Sequence, residues 1–210
     1  MRYFMASATD KITGKIKRRK RGWVFTPRDF LDVGSRAAVD QVLSRLVKQG
    51  MIRRLDRGIY DYPKQSTLLG TLSPNPDNIA RALAVGDVIS PSGAMAANTL
   101  GLSTQVPAKP FYLTNTTART RSVAGQTIQL KRARVALLDN IPAHANLALQ
   151  ALSYLGRHNI DDQIINRCAY VLTDRDLAGL HQAMGNVPGW MADTIHKIEH
   201  AKHAQVSGTA

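Results

Sequence analysis

A single cysteine, Cys168, and a single glutamate, Glu199, stand in 210 residues. One cysteine excludes a disulfide framework within the chain and agrees with a reducing compartment. With so little glutamate and no aspartate pair among suitable partners, a two-metal centre is not expected. No stretch approaches the ~18 uninterrupted apolar residues of a membrane-spanning helix, and no basic amphipathic helix carries a bulky apolar face, so no membrane partner is expected. The opening "MRYFMASATDK" has no continuous apolar segment of signal-peptide length, which leads to the expectation of a soluble, cytoplasmic protein. No internal repeat or long low-complexity tract stands out.

What the chain does have is positive charge, unevenly placed. Lys+Arg number 28 against 15 for Asp+Glu; residues 1–64 hold 16 basic and 6 acidic side chains, residues 65–210 hold 12 and 9. Such asymmetry points to a polyanion as partner of the N-terminal third. The densest part is the run Lys17, Arg18, Arg19, Lys20 and Arg21, directly before the apolar triplet Trp23-Val24-Phe25.

The residues after that run have a readable local grammar. Thr26-Pro27-Arg28-Asp29 has the form of a capping box that opens a short helix, which Asp32-Val33-Gly34 breaks. Ser35 is then an N-cap, and Val39, Val42, Leu43, Leu46 and Val47 recur at helical spacing up to Gly50, the expected C′ residue. "MIRRLDRGIYDY" reads as two short strands around an Asp56-Arg57-Gly58 turn. Two helices joined by a short glycine-containing turn form a helix-turn-helix, and the hairpin makes it winged. Trp23-Val24-Phe25 is placed to pair with the wing, and "TDKITGKIKRRK" to form a leading helix with Ile12 and Ile16 as its i, i+4 contacts.

Function classes follow from where the charge falls on these elements. The face of the second helix opposite its apolar stripe shows Ala37, Gln41, Ser44, Arg45 and Lys48, flanked by Ser35, Arg36 and Asp40; short and hydrogen-bonding side chains can approach base edges closely. Arg36 and Gln41 are the expected base readers, with Asp40 able to hold Arg36 back by an i, i+4 pair. The Lys17–Arg21 run is placed to reach flanking phosphates, and Thr26 and Arg28 are counted with the same contacts. Arg53, Arg54 and Arg57 form a second phosphate cluster on the wing, although alternation puts Arg53 and Arg54 on opposite strand faces.

The expected architecture is α+β in two parts. Residues 1–64 form the winged helix-turn-helix, 65–77 a proline-rich linker, 78–204 a mixed, mostly helical partner domain, and 205–210 a disordered tail. In the second part a helix is expected through Ile79, Leu83 and Val85, a small-residue helix in "SGAMAANTLG", and strands in "FYLTN" and "QTIQLKR" with a polar loop between them. Helices are expected at 144–157, 161–171 and 174–184, and from about Trp190. The aspartates at 161, 162, 174 and 176 are helix caps rather than metal ligands.

The block "GWVFTPRDFLDVGSRAAVDQVLSRLVKQGMIRRLDRGIYDYP" resembles the N-terminal winged helix of AbiEi-type antitoxins of type IV toxin-antitoxin systems. The resemblance continues through "SPSGAMAANTLGLSTQVP" and "PFYLTNTTARTRSVAGQTIQLKR", where such proteins begin their C-terminal antitoxin region. It implies a repressor that binds double-stranded DNA at operator repeats of its own operon. It further implies a C-terminal region that counteracts a nucleotidyltransferase-like toxin.

Two other classes remain open on the residues themselves. One is an adaptor that binds structured RNA with the same basic surface. The other is an enzyme acting on nucleotides through the second part. For that class Ser90-Pro91-Ser92-Gly93 lacks the Gly-Lys-Ser/Thr sequel of a phosphate loop. His196, His200 and His203 can share one helix face, which suits a metal geometrically but is more often a solvated terminal helix. Cys168 has no signature tying it to a histidine. A non-enzymatic protein without cofactor or metal is the expectation.

Overall fold

The computed structural model describes residues 7–84, 86–105 and 111–207. The chain divides into two compact units, one running through Gly86 and including Thr120–Ile128, the other comprising Asp87–Arg119 and the chain from Gln129 onward.

In the first unit, helix α1 (Ala8–Arg18) starts at a capping box in which Ser7 and Asp10 satisfy each other's amides, and it buries Ile12 and Ile16. Strand β1 (Val24–Phe25) leads into a 3-10 turn, Pro27–Phe30, and then into α2 (Arg36–Lys48), where Ser35 Oγ accepts from the Ala38 amide. Gly50, at φ +70°, ends α2 in the left-handed region, which lets the Met51 amide reach the Leu46 carbonyl. Strands β2 (Arg53–Asp56) and β3 (Ile59–Asp61) then form a hairpin, and β1 pairs antiparallel with β3, giving the order β1-β3-β2. Phe25 and Phe30 meet edge to face at 5.4 Å over Ile12, Ile16, Leu43 and Ile52, all nearly fully buried. Burying each such side chain contributes about 1.5–3 kcal/mol, so this small core holds the helices and the hairpin as one body.

The expected linker is part of that body. Residues 65–77 form a small hairpin, β4 (Gln65–Ser66) with β5 (Gly70–Thr71), and the first turn of α3 (Pro76–Ala84). Asn78 Nδ2 donates to the Gly22 carbonyl at 2.8 Å, and Ile79, Ala80, Leu83 and Ala84 are buried. An apolar stripe on α3 therefore moves the boundary to Gly86, despite the turn-rich composition before it. Val85 lies outside the described residues.

In the second unit, β6 (Ile89–Pro91) pairs antiparallel with β7 (Tyr112–Thr114), which runs parallel to β9 (Gln126–Arg132) over Leu130–Arg132; β8 (Arg119–Val123) turns into β9, and the stretch Thr120–Ile128 of these two strands belongs to the first unit. The polar loop expected between the last two strands is thus largely the strand β8, whose arginines and serine disguise it. Helix α5 (Ala143–Leu155) is buried on nearly every side from Ala145 to Leu152, as suits a central helix. Against it pack α4 (Gly93–Thr99) and α7 (Asp174–Ala183), while α6 (Asp162–Val171) and α8 (Gly189–Ser207) pack on each other in the same core, which buries Ala97, Ala169, Leu180 and Ile195. The four C-terminal helices start within two residues of their expected positions. Helix α8 runs to Ser207, so the expected tail is helical at 205–207, and 208–210 lie outside the described residues. Cys168 is fully buried, and burial pushes its thiol up to about 12, which keeps it protonated and inert as a nucleophile at neutral pH.

A close approach defines the α4–α5 contact. A Cβ on Gly93 would lie 2.4 Å from Tyr154 Cβ and 2.7 Å from the Gln150 carbonyl oxygen. Gly93→Ala is therefore expected to destabilise the protein by about 1–3 kcal/mol through overpacking. Chemical denaturation measures this, and an unchanged midpoint would show that the two helices are further apart than described.

Candidate functional site

Helix α2 sorts its side chains cleanly by face. Val39, Val42, Leu43 and Leu46 are buried, while Ser35, Arg36, Ala37, Gln41, Ser44, Arg45 and Lys48 are exposed and Asp40 is half-buried. The exposed face carries no large apolar side chain. Arg36 Nε donates to both carboxylate oxygens of Asp40, at 3.1 and 2.9 Å, while its two terminal nitrogens make no hydrogen bond among the described residues. Such an exposed i, i+4 pair contributes only about 0–1 kcal/mol and yields readily to a stronger anion.

The basic run divides in two. Lys17 and Arg18 close α1, Arg19 is its C-cap, and Lys20 adopts φ +64°; all four are exposed. Arg19 lies over the Trp23 ring at 5.5 Å. Arg21 is different: its Nη1 donates to the Pro63 carbonyl at 2.9 Å and its guanidinium sits 4.7 Å from the Tyr62 ring centroid. Arg21, also exposed, is thus engaged as a clasp within the unit. Lys15 is another clasp, bonding the Asp29 carbonyl at 2.6 Å and Asp32 at 2.9 Å, and that bond holds the Asp32 carboxyl below its ordinary range. Thr26 likewise has a local task, donating through its amide and hydroxyl to Asp29, whereas Arg28 is exposed.

The hairpin arginines are also unlike one another. Arg53 faces inward, with Nε on Asp61 Oδ1 at 3.0 Å, Nη2 on Asp61 Oδ2 at 2.5 Å, and Nη2 also on the Leu72 carbonyl at 2.9 Å. Asp61 is 1% exposed. This bidentate pair raises the Arg53 pKa further and spends the guanidinium on structure, so the expected phosphate contact at Arg53 is corrected. Arg54 and Arg57 are exposed, and neither is in an ion pair among the described residues.

One cation was not readable from sequence as part of this surface. Arg121 donates through Nε to Asp56 Oδ2 at 2.7 Å and through Nη2 to the Arg57 carbonyl at 3.0 Å. The Arg57 amide, at 2.6 Å, and then Arg121 hold the Asp56 carboxyl below its ordinary range. Arg121 thereby joins Arg36, Arg54 and Arg57 around an open hollow of about 550 Å³, with Tyr60 and Gly58 in its wall. Four guanidiniums against Asp40 and Asp56 leave an excess of positive charge suited to phosphate oxygens.

No such concentration of charge exists in the second unit, which holds ten basic and eight acidic residues against eighteen and seven in the first. Its histidines pair locally: His181 Nδ1 lies 3.0 Å and His196 Nδ1 3.3 Å from the Glu199 carboxylate. Among the described residues no group of three or more His, Cys, Asp or Glu is placed to hold a metal ion. Ser92 Oγ caps α4 by accepting from the Met95 amide at 3.4 Å. Among the described residues, no helix is long and apolar enough to cross a membrane. Residues 11–180 match the model of a family of unknown function, DUF6088. No curated protein matches the chain.

Proposed function

The chain belongs to the DUF6088 family, whose function is unknown, and we propose that its first unit is a winged helix-turn-helix that binds double-stranded DNA. The observation that carries this reading is the exposed polar face of α2, whose Arg36 shares a hollow with the guanidiniums of Arg54, Arg57 and Arg121, in a unit that also exposes Lys17 to Lys20. In this reading α2 enters the major groove, Arg36 and Gln41 read base edges, and Ala37 and Ser44 allow close approach. Arg45 and Lys48 contact the backbone further along the helix, and the two cationic clusters take phosphates on either side. The resemblance to AbiEi-type antitoxins extends the proposal: the protein represses its own operon at operator repeats, and its nearly neutral second unit counteracts a nucleotidyltransferase-like toxin.

Base readout is tested on the intact chain. Arg36→Ala or Gln41→Ala is expected to cost ~1–3 kcal/mol on the cognate duplex and much less on a shuffled duplex. Asp40→Asn, which releases Arg36 and removes a carboxylate from the approaching phosphates, is expected to tighten binding to both. Titrations of labelled duplexes decide between the outcomes; equal losses on both sequences for Arg36→Ala and Gln41→Ala would assign them to phosphates instead.

A further inference from the structure

The second unit contains a hollow of about 510 Å³ that the DNA reading does not use. Its size falls within the ~300–1,000 Å³ of small-ligand sites. Its lining includes three cationic residues, Lys131, Arg132 and Arg134, and no carboxylate. Arg132 and Arg134 enter no ion pair among the described residues, so their charge is available to a ligand. Lys131 Nζ is seated 4.1 Å from the centroid of the Phe111 ring, which fixes the ammonium at the wall.

Tyr154, a residue 47% exposed, also lines the hollow, and its hydroxyl donates to Gln105 Oε1 at 3.2 Å. A half-exposed aromatic face held in place is a stacking platform. On the sheet, Leu113 is in register with Lys131, and both line the hollow.

We propose that this hollow binds a nucleoside phosphate, either as a free nucleotide or as one unit of a single strand. Arg132 and Arg134 take the phosphate oxygens, Lys131 adds charge from the Phe111 side, and the base stacks on Tyr154. The site shares no residue with the proposed duplex surface and stands or falls apart from it.

Titration of the full-length protein with ATP, inorganic triphosphate and a short single-stranded oligoadenylate tests it, with duplex affinity measured in parallel. Saturable ATP or oligoadenylate binding is expected, weakened at least about tenfold by the R132A/R134A pair and by Tyr154→Ala, and retained by Tyr154→Phe. Inorganic triphosphate is expected to need the arginines but not the Tyr154 ring. Preference for the oligoadenylate identifies a strand as the source, and preference for ATP identifies a free nucleotide. Absence of saturable binding by both, or wild-type affinity in the arginine pair, overturns the proposal. Displacement of ATP by polyglutamate as effective as by triphosphate also overturns it and marks a site for acidic peptides. If Tyr154→Ala fails to fold, the arginine pair and Tyr154→Phe still decide.

Discussion

Arg53→Ala is expected to lower the stability of the protein by about 3–5 kcal/mol, because it leaves the buried Asp61 carboxylate without its partner. The same substitution removes the bond to the Leu72 carbonyl that ties the segment after the hairpin to β2. Arg54→Ala, one residue further on and exposed, is expected to change stability by less than about 0.5 kcal/mol. Duplex affinity should respond in the opposite order, falling for Arg54→Ala and remaining near wild type for Arg53→Ala wherever that variant is still folded. Denaturant titration and duplex binding of both variants provide the check. If Arg53→Ala is as stable as wild type while losing DNA, the inward pair with Asp61 is not what holds this arginine.

The second large effect concerns the basic run. Replacing Lys17, Arg18, Arg19 and Lys20 by glutamine is expected to weaken duplex binding on the order of a hundredfold at physiological salt, and to reduce the salt slope by about 0.9 for each phosphate contact removed. Arg21 is kept in this variant, since it fastens Pro63 and Tyr62 and its loss would confound binding with folding. In cells, repression of a reporter should fail while protection against the proposed toxin survives, because the replaced residues belong to the first unit and protection is proposed for the second. A reporter assay and a toxicity rescue at matched protein levels separate the two activities. Retained repression with an unchanged salt slope would make the run a solvated segment; lost rescue would tie protection to DNA binding.

Local signals made most of the first unit legible. Ile12 and Ile16 at i, i+4, the Thr26–Asp29 cap and the Ser35 cap each state an element within a few residues, and each element is present. Alternation also separated Arg53 from Arg54. It did not say which one pointed inward, since that depends on Asp61 lying opposite Arg53 across the hairpin. The boundary was misplaced because prolines and asparagines in 65–77 look like a linker, whereas the packing of α3 depends on partners some 55 residues earlier, such as Gly22 for Asn78. Arg121 carried no local signal at all: its partner, Asp56, is 65 residues away, and its neighbours Thr120 and Ser122 read as loop.

Sequence-specific DNA binding is tested by the affinity of the intact protein for a duplex spanning the DNA upstream of its own gene, compared with a shuffled duplex of the same composition, at two salt concentrations. Binding to both is expected, weakening steeply with salt, with a preference of about a thousandfold or more for the upstream sequence. Equal affinity for the two duplexes, or no binding to either at low salt, would contradict it.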